Sequence, residues 1–178
     1  ISLMDTACAR VALSQHSRPQ QIEFLEEQLG CTLHAAHRLD QPTSGVMLLG
    51  KNPRSTQMLQ EALTTATKEY TAIIRGVVKP EEGTWTWPLS NKGEGFRNQQ
   101  GRKNDRVEAL TTYQTIRSNQ YFTMVSLTLG TGRQHQIRKH ATLAKHQVVG
   151  DTRYGDRRYN TMIAKRYQMD ELCLCASR

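Results

Sequence analysis

The sequence predicts an α+β fold: a mixed, largely antiparallel sheet flanked by helices. Three observations carry that expectation. In residues 68–78, Tyr70, Ala72 and Ile74 share one face with the period of two expected of a strand, and 107–116 and 121–129 read as a hairpin. Residues 19–29, 53–66, 133–145 and 157–168 read as helices. The connections are of both kinds, some strands being joined by a polar turn and others by a helix.

In chain order, residues 1–18 are ambiguous, with 7–13 compatible with a helix. Pro19 suits the first turn of a helix in which Ile22, Leu25 and Leu29 recur at helical spacing, and Gly30 is a natural stop. Short apolar runs at 31–36 and 46–49 flank His37-Arg38-Leu39-Asp40-Gln41-Pro42-Thr43-Ser44-Gly45 and read as strands around a loop. Within that loop Pro42 has no N–H to donate, and Gly45 tolerates backbone angles that other residues avoid. Asn52 caps the next helix and Pro53 takes its first position; Met58, Leu59, Ala62, Leu63 and Ala66 form its expected buried face. In the strand at 68–78, Tyr70, Ala72 and Ile74 share one face. Trp85 and Trp87 alternate with threonines in a short strand ended by Pro88. Residues 90–106 hold almost nothing apolar and read as a long, mobile, positively charged loop. Strands at 107–116 and 121–129 form a hairpin closed by 117–120. Gly130 and Gly132 break the second strand, and the helix that follows turns Ile137, Ala141 and Ala144 inward. A short strand at 147–149, the helix at 157–168 and a last strand at 172–176 complete the chain.

The 178 residues suffice for one domain, or for a compact pair of subdomains sharing a sheet. The net charge of +8 is uneven: between residues 130 and 166 nine basic residues face two acidic ones. Such clustering is an electrostatic footprint for nucleic acid, although a solvated basic face has the same composition. No run approaches the ~20 apolar residues of a membrane helix, and no secretory signal is visible. Cys8, Cys31, Cys173 and Cys175 make no C-x-x-C pair and read as small buried apolar residues in a reducing cytoplasm. A cytoplasmic location follows from that reading.

The nine residues His37 to Gly45 closely resemble the His-Arg-Leu-Asp-x-x-Thr-Ser-Gly signature of the RluA-type pseudouridine synthases. Lys68-Glu69-Tyr70-Thr71-Ala72 is similar to that family's Lys-x-Tyr-x-Ala strand. Thr131-Gly132-Arg133-Gln134-His135-Gln136-Ile137-Arg138 is similar to its Thr-Gly-Arg-x-His-Gln-Leu-Arg segment. Gly150-Asp151-Thr152-Arg153-Tyr154-Gly155 matches a fourth block, in the family's order. The resemblance implies a bent sheet with a central active-site cleft and isomerisation of a uridine already in RNA. That reaction breaks the N–C glycosidic bond, turns the uracil over and rejoins it through C5. It adds no group and changes no oxidation state, so no cofactor or metal is expected.

By composition alone Asp40 is a structural turn aspartate; the full signature implies instead the catalytic carboxylate. It can trap or stabilise the electron-poor sugar, abstract a sugar proton or add to the ring. Arg138 matches the arginine that pairs with the catalytic aspartate, against the alternative of a solvent-facing phosphate contact. Tyr70 matches the tyrosine that stacks on the target base, against that of a sheet-packing aromatic. The resemblance gives Arg38 the role of occupying the space left by an extruded base, against the alternative of an ordinary phosphate contact or ion pair. Arg133 and His135 orient their segment or touch the RNA backbone, and Ile137 packs near the base. Lys139, Lys145, Arg153, Arg157 and Arg158 are candidate phosphate contacts. The 90–106 loop is a candidate RNA clamp.

The chain also departs from the family pattern. Family members carry a strand and an Asn-Lys-Pro-x-Gly block before the Asp motif, whereas 39 residues without such a block precede Asp40. Cys175 stands at the His place of the family's last strand. The expectation is a single catalytic domain over 1–178, lacking the N-terminal strand block and trimmed at the C-terminus. Its expected partner is tRNA or large-subunit rRNA, nearest the TruC-like tRNA-acting branch, with no membrane and a monomeric state. Two other classes remain open: a non-catalytic RNA-binding module, and a nucleoside or glycoside hydrolase.

Overall fold

The computed structural model describes residues 7–10 and 20–178. The chain divides into two compact units, one running to residue 67 and including 176–178, the other spanning 68–175.

In the first unit, β1 (Ala7–Arg10) and β2 (His34–Ala35) both pair antiparallel with β3 (Ser44–Gly50). β1 corrects the reading of 7–13 as a possible helix: Ala7 to Arg10 match Leu49 to Val46 residue for residue. Residues 11–13, Arg18 and Pro19 lie outside the described part. Helix α1 (Gln20–Leu29) buries Ile22 with Leu33 and Leu49, and Leu25 packs partly on them, whereas Leu29 stays exposed. Gly30 ends the helix with a φ of +62°.

Helix α2 (Pro53–Thr65) starts as its sequence requires. The Asn52 side chain accepts from the Ser55 N–H at 2.9 Å, and Ser55 Oγ accepts from the Asn52 N–H at 3.2 Å, a reciprocal capping box. Its expected buried face is corrected. Met58 is 59% exposed, Ala62 and Ala66 are exposed, and Leu59 and Leu63 are half-buried. The one fully buried residue of α2 is Thr56, which sits against Gly50 and donates to Asn52 O at 2.8 Å.

In the second unit, β4 (Lys68–Arg75), β9 (Phe122–Leu129), β8 (Thr111–Ser118) and β5 (Glu82–Trp85) are antiparallel neighbours in that order. β10 (Leu174–Ala176) lies on the other side of β4. Ala72 and Ile74 of β4, Val125 and Leu127 of β9, and Val148 form the core with Ile137 and Ala141 of helix α3 (Gln136–Leu143). Tyr70 packs against this cluster, so the expected face of β4 is the buried one. Helix α4 (Arg157–Tyr167) buries Ile163 and is capped by the Asp156 carboxylate, which accepts from the N–H groups of Arg158 and Tyr159. Those two bonds hold the Asp156 carboxyl below its usual range.

The expected 107–116 strand starts later, at Thr111. Val107 instead turns back in β7 (Arg106–Val107) to pair with β6 (Leu89–Ser90). The segment between β6 and β7 ends in one 3-10 turn, Lys103–Asp105. Cys31, Cys173 and Cys175 are in no disulfide and are half-buried rather than buried. Sheets and helices together give the expected α+β class. Among the described residues no helix is long and apolar enough to cross a membrane.

Candidate functional site

Asp40 and Arg38 belong to the first unit; Tyr70 and the expected residues from Arg133 to Arg158 belong to the second. The Asp40 loop connects β2 to β3, as the short flanking runs predicted. It is fixed from both ends. Ala36 N–H donates to Leu48 O at 3.0 Å, and Leu48 N–H donates to His37 Nε2 at 3.0 Å. Asp40 O accepts from the Thr43 N–H at 2.6 Å, closing the turn through Gln41 and Pro42. Gly45 follows with a φ of +132°, where any Cβ would run into the Ala176 backbone. The loop thus holds a half-buried Asp40 beside an exposed Arg38 on a rigid two-strand base.

In the second unit, α3 carries an unusual load. Gln136, Arg138, Lys139 and His140 are all buried polar residues. Arg138 is 2% exposed and Asp151 0%. Arg138 Nε and Nη2 donate to the two Asp151 carboxylate oxygens at 2.8 Å each, a bidentate pair. Burial excludes the solvent-facing phosphate contact as the role of Arg138. Asp151 Oδ1 also accepts from the N–H groups of Arg153 and Tyr154, both at 2.9 Å. The Tyr154 ring lies 5.1 Å from the Arg138 guanidinium carbon, and its hydroxyl meets His135 Nδ1 at 2.8 Å. Asp151 is named in the sequence blocks but is given no role there. It lies within the matched fourth block, but an acid thirteen residues from its arginine carries no local periodic signal.

Arg133 and His135 both bond to other segments of the second unit. Arg133 Nε donates to Glu108 O at 2.9 Å. Ile137 is 5% exposed within the core cluster. Gln136 and His140 form a chain of bonds. Gln136 Nε2 donates to Leu110 O and Thr111 Oγ1, both at 2.9 Å, while its Oε1 accepts from Thr131 Oγ1 and Arg133 N. His140 Nε2 lies 2.9 Å from Trp87 O, which can only accept, so that nitrogen carries the proton. Nδ1 therefore accepts from the Thr111 hydroxyl at 2.9 Å. Burial pushes the His140 pKa down, and the neighbouring Lys139 charge adds to this, so the ring is held neutral.

Lys139 is a correction. It is 0% exposed and reaches no solvent phosphate. Its Nζ donates to Ser90 O at 2.9 Å and Lys92 O at 2.8 Å, anchoring the start of the 90–106 segment. Arg153 Nε donates to Glu94 O at 2.7 Å, and its Nη2 to Gly93 O. Further bonds run from Ser90 Oγ to Glu94, from Lys92 to Asp105 and from Arg106 to Gly101 O. The expected mobile loop is thus knitted internally and tied to α3 and the 151–154 turn. Lys145, Arg157 and Arg158 are exposed, as phosphate contacts require.

Comparison with known proteins gives a consistent family. Residues 4–143 match the family described as RNA pseudouridylate synthase. The tRNA pseudouridine synthase C of Haemophilus ducreyi is 30% identical over 168 residues, 87% of this chain and 69% of that protein. The protein of the same name from Salmonella typhimurium is 30% identical over 171 residues, 88% of this chain but 65% of that protein. Among solved structures, Human RNA Pseudouridylate Synthase Domain Containing 1 superposes with a TM-score of 0.73 at 21% identity. That match covers 95% of this chain and 72% of the human one, and bears on the fold.

Proposed function

The chain belongs to the RNA pseudouridylate synthase family, and we propose on that premise that it isomerises a uridine of structured RNA to pseudouridine through Asp40. The observation that carries this reading is the complete nine-residue signature, on a loop whose backbone is fixed at both ends. The similarity to proteins named tRNA pseudouridine synthase C favours tRNA over large-subunit rRNA as the substrate class.

In the proposed reaction the N1–C1′ bond of the target uridine breaks and a C5–C1′ bond forms. The proton on C5 leaves and N1 gains one, so the RNA keeps its mass and no cofactor is consumed. Asp40 is the carboxylate that acts on the nucleotide; attack at the sugar, addition to the ring and removal of a sugar proton are all open to it. From the motif it matches, we assign Arg138 to keep that carboxylate ionised and oriented. Tyr70, half-buried on β4, is assigned to stack on the base and take the C5 proton. Arg38, exposed and permanently charged, is assigned to fill the stack vacated by the extruded base.

Digestion of treated tRNA to nucleosides tests this proposal. It predicts a new nucleoside with the mass of uridine and a carbon–carbon glycosidic bond, made by the native chain. Free uracil or abasic sites would instead establish a hydrolase.

A further inference from the structure

Helix α4 has an outer face that no role above uses in full. Arg157, Arg158, Thr161, Met162, Lys165 and Arg166 lie at i, i+1, i+4, i+5, i+8 and i+9, and together line one shallow open groove. All six are exposed, and four are cationic. The helix itself holds no acidic residue. The nearest carboxylates in sequence are Asp156, occupied in capping the helix, and Asp170 and Glu171 beyond its far end. The opposite face is committed to packing: Ile163 is buried and the Tyr159 ring lies 4.4 Å from the Arg75 guanidinium. Met162, 46% exposed, sits between the two basic pairs and breaks the charged surface with an apolar strip.

The four cations have no acidic residue beside them on the helix itself, so their charge is open to an anion lying across this face. Two pairs, separated by two helical turns or about 12 Å, suit a run of phosphates rather than one isolated anion. We infer that the outer face of α4 docks the phosphate backbone of the RNA substrate, with Met162 against its sugar edges, and sets affinity rather than the chemical step. The inference rests on the RNA-modifying reading above. It extends the individual contacts expected from the sequence, Arg157 and Arg158, to Lys165 and Arg166, which the sequence placed only in the basic cluster, and to Met162.

The test compares two variants of the full chain that each lose two positive charges. K165Q/R166Q removes the C-terminal pair of the groove. R54Q/R117Q removes two exposed arginines elsewhere. Fluorescence anisotropy of labelled tRNA transcripts, titrated across salt concentration, gives binding without requiring turnover. K165Q/R166Q should weaken binding by about ten-fold or more and flatten the slope of log K against log salt by roughly 1.5 to 2. R54Q/R117Q should stay near wild type in both. KM should rise and kcat hold in K165Q/R166Q. Equal effects of the two variants, or no effect of the first, would overturn the inference. So would a wild-type chain that binds no RNA. Tight α4-dependent binding without any pseudouridine formed would leave the inference standing and reject the proposed activity.

Discussion

Removing Asp151 tests whether the buried pair on α3 organises the second unit. Asp151→Ala leaves the Arg138 guanidinium inside the protein without the carboxylate that takes two of its nitrogens. Breaking a buried pair from one side costs about 3–5 kcal/mol. The N–H groups of Arg153 and Tyr154 lose their acceptor as well, at about 1 kcal/mol or more each. A loss near 5 kcal/mol is a third or more of the roughly 5–15 kcal/mol that holds a domain together. At about 2–4 °C per kcal/mol for a chain of this size, Tm should fall by roughly 10–20 °C. Thermal melting followed by circular dichroism reads the Tm, and urea unfolding reads the free energy. R138M/D151N removes both charges yet keeps a side-chain oxygen for the two N–H groups, and should recover about 3 kcal/mol relative to Asp151→Ala. The exposed Lys92–Asp105 pair is the contrast, and Asp105→Ala should leave stability unchanged. A single variant within 1 kcal/mol of wild type, or a double variant no better than Asp151→Ala, would refute the reasoning.

Three further outcomes are expected. The folded His140 resists protonation, whereas unfolded it titrates near 6.5, so acidification below that pH lets the unfolded state take up a proton that the folded state refuses. Stability should therefore fall below pH 6.5 with a slope approaching about 1.4 kcal/mol per unit, and His140→Gln should lose that component in urea titrations across pH. Lys139→Met should free the 90–106 segment from two carbonyl anchors and speed its cleavage by trypsin about ten-fold or more, a change read by mass spectrometry of the fragments. Gly45→Ala should cost about 2 kcal/mol or more, through its positive φ and the Ala176 backbone beside it, as measured by the shift in urea midpoint.

What the sequence made legible was local. Asn52 and Pro53 announced the start of α2, since both the cap and the missing N–H act within one turn. Alternation placed Ala72 and Ile74 inward, and the short runs around Asp40 gave the strand–loop–strand that presents it. The misses depend on distant parts of the chain. Lys139 reads as a surface cation in a basic run, yet its ammonium is satisfied by carbonyls 47 and 49 residues away. The order of the 90–106 segment has the same origin, because polar composition says nothing of side chains that will bond its backbone from afar. Helical spacing on α2 showed where Met58, Ala62 and Ala66 align, but not whether anything covers them. Arg138 stood out through its motif, while Asp151, equally buried, was passed over because its partner is defined by the fold.

The most direct test of the central claim is tritium release from tRNA transcripts labelled at uridine C5, treated with the native chain and with Asp40→Asn. Isomerisation must expel that hydrogen as the new carbon–carbon bond is made. The native chain should release tritium, and Asp40→Asn should release none while still binding the RNA. Equal release from both proteins would remove Asp40 from the chemistry, and release of labelled free uracil would contradict the isomerisation itself.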